Sequence, residues 1–169
     1  SGGMAEIYRA KVYGQHGFER EYAVKKLLPH LVDEQQFLDM FIDEAMIVSG
    51  LQHPNIVQVF DFGDIQRQFF IAMECVFGQD LLSLLARCDE TQSRIPLDLT
   101  VFIGRSILLG LDYAHNARGR DGRSLGLIHR DVSPCNILLS YTGDIKLGDF
   151  GVVKAAGQRA HTEAGMLKG

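Results

Sequence analysis

No tryptophan occurs among the 169 residues, cysteine appears three times and proline four. Cys75, Cys88 and Cys135 are odd in number and share no repeated spacing, which argues against a disulfide framework or a cysteine-built zinc site. It points to reduced thiols and a cytoplasmic setting, although a membrane anchor could lie in a part of the parent protein outside this chain. Long apolar runs are missing too. The stretch Ser106–Leu111 is bounded by Arg105 and Asp112, far short of the roughly 18 residues a bilayer span needs. There is no excess of positive charge: 17 Lys+Arg against 21 Asp+Glu leave a formal charge of −4, which disfavours a nucleic-acid partner. No initiator Met and no basic-then-apolar leader precede Ser1-Gly2-Gly3, and Lys168-Gly169 closes the chain without a helix stop, so both ends read as cut from something longer.

With 46% hydrophobic and 22% charged residues, the chain can bury a core. Ile7–Tyr13 and Tyr22–Leu27 are rich in β-branched and aromatic residues and flank Gly14–Gly17, which predicts a hairpin. From Asp33 to Leu51 the period becomes helical, with Phe37, Met40, Phe41, Ile47, Val48 and Leu51 forming one apolar stripe. His53-Pro54-Asn55 ends it. Ile56–Phe62 and Gln68–Cys75 read as two more strands, giving a small antiparallel sheet with one helix packed on it. After Cys75 the texture turns helical: Gly78 reads as a flexible joint, Asp80 as the N-cap of Leu81–Arg87, and Leu97–His115 as a long helix. Asn116–Gly126 is expected to be a surface loop. Leu127–Ile128, Ile137–Leu139 and Ile145–Leu147 are apolar runs too short for helices. The expected class is therefore α+β, a sheet-rich half joined to a helical half across Glu74–Gly78.

Two constellations carry chemistry. On a helix, the neighbours of Glu44 at three and four residues are Met40, Phe41, Ile47 and Val48, so its carboxylate faces the apolar side and needs a partner. Lys25 is the candidate, because it shares a strand face with Ala23 and Leu27. A snorkelling Glu44 beside a surface Lys25 would fit the same local pattern. The second constellation is His129-Arg130-Asp131 with Asn136 five residues after the aspartate and Asp149-Phe150-Gly151 thirteen beyond that. Two carboxylates and an amide on two short loops suit a site that holds a divalent cation and a polyphosphate while accepting a hydroxyl proton. Ser1-Gly2-Gly3 before the first strand adds a glycine-rich turn of the kind that lets backbone N–H groups approach phosphate.

In this order and spacing, Tyr22-Ala23-Val24-Lys25, Glu44, His129-Arg130-Asp131-x-x-x-x-Asn136 and Asp149-Phe150-Gly151 resemble the motifs of the protein kinases. The resemblance runs along all 169 residues, and its wording is similar to bacterial Ser/Thr kinases of the eukaryotic type. It implies a two-lobed fold: a small lobe over residues 1–73, a hinge over 74–78, and an incomplete larger lobe over 79–169 that ends in the activation segment. It implies ATP and Mg²⁺, and a protein substrate with a Ser or Thr acceptor. Catalytic roles fall to Asp131 as base and to Lys25, Glu44 and Asn136, and metal binding to Asn136 and Asp149. Nucleotide contacts fall to Gly2, Gly3, Ile7, Ala23, Lys25, Met73, Glu74, Val76, Asp80 and Leu138, with Asp80 at the ribose. Val48, Val59, His129 and Phe150 match a stacked apolar column that couples the lobes. Thr162 is expected to accept a regulatory phosphate that Arg130 receives, or else to help position the substrate.

The chain departs from the family pattern at Ala5, where a glycine is usual, at Ser133, where Ser/Thr kinases usually carry lysine, and at Cys135. No Ala/Ser-Pro-Glu motif follows. A pseudokinase or ATP-binding scaffold, and a small-molecule phosphotransferase of the aminoglycoside or choline kinase type, are the alternatives. Lys25 is expected in an open cleft where water could rescue Glu44 if the lysine were lost, and the 169 residues alone are expected to be inactive.

Overall fold

A computed structural model describes residues 4–119 and 121–150. Gly2, Gly3, Gly151 and Thr162 lie outside the described residues.

Strands β1 (Ala5–Tyr13), β2 (Glu19–Leu27), β3 (Val59–Ile65) and β4 (Gln68–Glu74) form one antiparallel sheet in the order β1-β2-β4-β3. The β1–β2 connection closes where expected. His16 and Gly17 take positive φ, and Gly14 N–H donates to Phe18 O at 2.7 Å. Helix α1 (Gln35–Val48) is shorter at both ends than its apolar period suggests. It buries Phe41, Glu44, Ala45 and Val48, and Phe41 meets Phe62 of β3 with ring centroids 6.3 Å apart. The strand expected to start at Ile56 starts at Val59 instead. The backbone of 55–57 is already engaged elsewhere: Leu147 N–H donates to Asn55 O, and Val57 N–H to Leu147 O, both at 2.9 Å. Apolar sequence made 56–57 look continuous with β3, but the distant strand Ile145–Leu147 takes backbone hydrogen bonds of 55–57.

Cys75–Phe77 connects this sheet to a second one, built from β5 (Gly78–Asp80), β6 (Ile137–Ser140) and β7 (Ile145–Leu147) in the order β5-β6-β7. Gly78 is thus a paired strand residue opposite Ser140 and not the flexible joint its type suggests. Its lack of a side chain serves close approach, since a Cβ there would lie 1.9 Å from Leu139 O. Asp80 caps α2 (Leu81–Glu90), accepting from Ser83 N–H at 2.7 Å, which satisfies one of the helix's open donors. Helix α3 (Leu97–His115) has the expected bounds and buries Ile103, Ser106, Gly110 and Ala114. Gly110 lets it approach Asn55 O. The far side of α3 leaves Val101, Leu108 and Leu109 exposed. The polar stretch after α3 is a loop pinned by an isolated bridge between Arg118 and Ser124. No described helix is long and apolar enough to cross a membrane.

One core runs through both sheets: Leu27, Phe41, Val48 and Ile71 from the first side, with Ile56, Ile103, Ile137, Leu147 and Phe150 from the second. The Gly78 contact tests the link between them. Gly78→Ala forces a methyl against backbone rather than a movable side chain, so it should cost about 2–3 kcal/mol, the upper part of the range for overpacking. Chemical denaturation of the full-length protein should show the midpoint falling, and an unchanged midpoint would mean that β5 does not approach β6 so closely.

Candidate active site

Lys25 stands in the middle of β2, between β1 and β4, with Ile7 and Ile71 as its cross-strand partners. Its ammonium Nζ donates to Glu44 Oε1 at 2.8 Å and Oε2 at 3.0 Å, and to Asp149 Oδ1 at 2.8 Å. Both members of the β2–α1 pair are buried, Lys25 being 7% and Glu44 6% exposed. Burial opposes the charge on Lys25, but the two carboxylates outweigh it and hold the lysine above its ordinary pKa. Burial pushes Glu44 upward and Lys25 opposes that. With two acids facing one base, the direction at Lys25 governs and the ammonium is kept. The lysine is therefore enclosed, which corrects the open-cleft expectation.

Asp131 and Asn136, in the loop after His129, are bonded to each other. Asn136 Nδ2 donates to Asp131 Oδ2 at 2.9 Å and to Asp131 O at 3.0 Å, and Asp131 itself is exposed. His129 is 1% exposed. Asp131 N–H donates to its Nδ1 at 3.3 Å, which makes Nδ1 an acceptor and leaves Nε2–H to donate to Gly148 O at 3.0 Å. One neutral imidazole thus ties the backbone of Asp131 to the residue before Asp149. The two residues beside these bonds, Arg130 and Asp149, have φ of 64° and 43°, a region costing roughly 1–3 kcal/mol that persists only where neighbours over-determine it. The His129 ring also packs 4.5 Å from Phe150. With Val48 and Val59, these four side chains are all buried.

Between the sheets lies a cleft of about 270 Å³ lined by Ile7, Ala23, Met73, Glu74, Val76 and Leu138, and also by Asn136 and Asp149. Apolar walls with a few polar groups at one end are the usual make-up of a small-molecule site. Tyr8, Arg9, Val57, Cys75, Cys135 and Gly148 join the lining. Arg9 and Cys75 are contributions that the motifs did not reveal. Asp80 is not among the lining residues. Its carboxylate takes Ser83 N–H and, at 3.0 Å, the Ser83 hydroxyl. Among the described residues no group of three or more His, Cys, Asp or Glu could hold a metal ion. The three cysteines are unpaired, and Cys135 Sγ lies 3.1 Å from Ser133 Oγ.

Residues 1–167 match the family model described as Protein kinase domain. The chain belongs to the protein kinase family. It is 39% identical over 99% of its length to Tyrosine-protein kinase MasK of Myxococcus xanthus, of which it covers 26%. To the serine/threonine-protein kinases PknA and PknL of Mycobacterium tuberculosis it is 35% and 36% identical over its whole length, covering 37% and 39% of them. The crystal structure of the Mycobacterium tuberculosis PknI kinase domain superposes with a TM-score of 0.69 at 32% identity, over 91% of this chain and 57% of that one. The chain therefore spans about a quarter to two-fifths of the curated relatives and a little over half of the solved kinase domain. The two-lobed kinase fold and bacterial kinase kinship expected from the motifs both hold.

The buried ion pair generates one prediction. Lys25→Met strands Glu44, and breaking a buried pair costs about 3–5 kcal/mol. A cavity of about 20 Å³ beside Glu44 has room for one water, so the loss should sit near 3 kcal/mol, read as a lower denaturation midpoint together with lost activity. An unchanged midpoint would show that Glu44 reaches solvent. His129 generates a second. Burial lowers its pKa, against the opposing pull of Gly148 O, Asp131 and Asp149. A depressed folded-state pKa stabilises above the unfolded value of about 6.5, and that stability is lost as pH falls through the folded value. Denaturation at pH 7.5 and pH 5 should show an acid loss that His129→Gln lacks, and equal losses would assign the acid sensitivity elsewhere.

Proposed function

We propose that this chain carries the nucleotide site and catalytic loop of an ATP-dependent protein kinase that phosphorylates hydroxyl side chains of protein substrates. One observation carries the reading: Lys25 is bonded to Asp149, which together with Asn136 lines an apolar cleft, and Asn136 in turn holds Asp131, so three separate parts of the sequence are brought together there. The residues suit the groups such a reaction needs. Adenine fits between Ile7, Ala23 and Leu138 with Met73 behind, and the backbone of Glu74 and Val76 offers its edge hydrogen-bonding groups. Lys25, held charged, suits the α and β phosphates. Asp80 would reach the ribose while still capping α2. The amide oxygen of Asn136 and the carboxylate of Asp149 are hard oxygen donors suited to Mg²⁺, which takes few protein ligands and completes its shell with phosphate and water. When bound, that ion supplies charge neutralisation on the phosphates. The chain divides accordingly into a small lobe (1–73), a hinge (74–78) and part of a larger lobe (79–169).

In the transfer, Asp131 accepts the proton of the acceptor hydroxyl as its oxygen bonds to the γ-phosphorus and the bond to the ADP oxygen breaks. Asn136 orients Asp131 by donating to Oδ2, which leaves the other carboxylate oxygen for the incoming hydroxyl. The imidazole of His129 holds the backbone of Asp131 and Gly148 in fixed relation, so that base and metal carboxylate are set together. Glu44 holds the Lys25 ammonium when Asp149 turns to the cation.

Serine and threonine are the proposed acceptors, supported by the names of PknA and PknL. Ser133 favours a second reading. The stretch Val132–Asn136 next to the base carries no cation, and a phenol, with a pKa near 10, needs less help in losing its proton than an aliphatic hydroxyl. MasK bears the name of a tyrosine kinase. Peptides differing only in Ser, Thr or Tyr at the acceptor position, offered to the full-length protein with Mg-ATP, separate the two readings.

Asp131→Asn should lower kcat by roughly 10²–10⁴ with little change in Mg-ADP affinity, since positioned proton acceptors contribute that much. Near-normal phosphorylation by this variant would overturn the assignment.

A further inference from the structure

Lys146 lies in β7, three residues before Asp149, and none of the roles above uses it. Its strand neighbours Ile145 and Leu147 are buried, so alternation sends Lys146 to the opposite face. There it stands directly across from Leu138 of β6, one of the cleft walls. From that floor its ammonium crosses to the other sheet. Nζ lies 2.9 Å from Glu74 Oε1 and donates to Pro54 O at 3.1 Å. The lysine side chain is 14% and the glutamate 29% exposed. The second oxygen of Glu74 accepts from Gln58 N–H at 3.3 Å, and Glu74 N–H donates to Gln58 O at 2.8 Å. Asn55 Nδ2 adds a bond to Ile145 O at 2.9 Å. Glu74 thus ends β4 at the cleft with every side-chain oxygen engaged, one of them by a residue of the strand that delivers Asp149.

We propose that Lys146 and Glu74 are a positioning pair that fixes the adenine-binding edge of the cleft relative to Asp149 and so sets nucleotide affinity. The inference rests on the nucleotide-site reading above. Its physical basis is that the covalent link between the sheets is only Cys75–Phe77, while a nucleotide must be met at one end by Glu74 and Val76 and at the other by Asp149. A strut between those ends holds their separation before the ligand arrives. That reduces the ordering cost charged against binding. A partly buried pair is also screened less by salt than a surface pair.

The test uses the full-length protein, with Mg-ADP binding and steady-state kinetics on Lys146→Met, Lys146→Arg, Glu74→Gln and the Lys146→Met/Glu74→Gln double variant. The pair predicts that Lys146→Met raises the Mg-ADP Kd and the KM for ATP together, by about 3–10-fold, a change of roughly 0.7–1.4 kcal/mol, while kcat changes less than KM. Lys146→Arg should recover most of the affinity. The double variant should be no worse than the worse single one, because both remove the same interaction. Unchanged Kd and KM with only a lower melting temperature, or single effects that add in the double variant, would overturn the proposal and leave the kinase reading standing. Wild-type protein that binds Mg-ADP and shows the coupling but phosphorylates no acceptor would instead remove the kinase reading and keep the pair.

Discussion

A single ammonium held between two carboxylates organises this molecule. Lys25 comes from the first sheet, Glu44 from the helix packed on that sheet, and Asp149 from the loop after the second sheet, so three separate elements of the chain share one ammonium. Removing Lys25 leaves the buried Glu44 and the half-buried Asp149 without their shared partner, and in a low-dielectric setting the cost of that exceeds the modest gain an exposed pair offers. The consequence is that the position of α1 against β2 and the position of the Asp149 loop against both are coupled electrostatically. Packing supports the same arrangement, since Val48, Val59, His129 and Phe150 are all buried and three of them line the small cavity beside Glu44 and Asp149.

His129 extends that coupling to the loop that carries Asp131 and Asn136. A neutral ring with one donor and one acceptor can bridge two backbone groups that neither a fully protonated ring nor an apolar residue could. The two positive-φ residues flanking its bonds show where the chain is bent against its own preference. Strain placed beside Asp131 and at Asp149 is tolerable because a buried, well-packed ring fixes both neighbours at once. Position and protonation state of one histidine therefore enter the geometry of both Asp131 and Asp149.

Much of this was legible in the residues alone. The helical stripe from Phe37 to Leu51 exposed Glu44 as a carboxylate on an apolar face, and strand alternation singled out Lys25 before any fold was known. The spacing of Asp131, Asn136 and Asp149 carried the resemblance, and the family comparison bears out the fold it implied. The misreadings have physical causes. Gly78 suggested freedom because glycine permits it, whereas here the missing Cβ admits a neighbouring backbone. Ile56 looked like the start of a strand because periodicity does not reveal which partner takes a backbone hydrogen bond. The Lys146–Glu74 contact was hidden because a lone lysine between two apolar residues and a glutamate at a strand end carry no local signal, and only their joining across the cleft gives them meaning. Enclosure of Lys25 was equally invisible, since burial depends on residues from β4, α1 and the Asp149 loop together.

The most direct test of the central role of Lys25 is a crystal structure of the full-length protein with Mg²⁺ and a non-hydrolysable ATP analogue. The account predicts that Lys25 Nζ stays within hydrogen-bond distance of Glu44 and faces the α and β phosphates, while the Asp149 carboxylate leaves the lysine and joins Asn136 on the metal. A structure in which Asp149 remains on Lys25 with the metal held by other residues, or in which Lys25 abandons Glu44 on nucleotide binding, would contradict it.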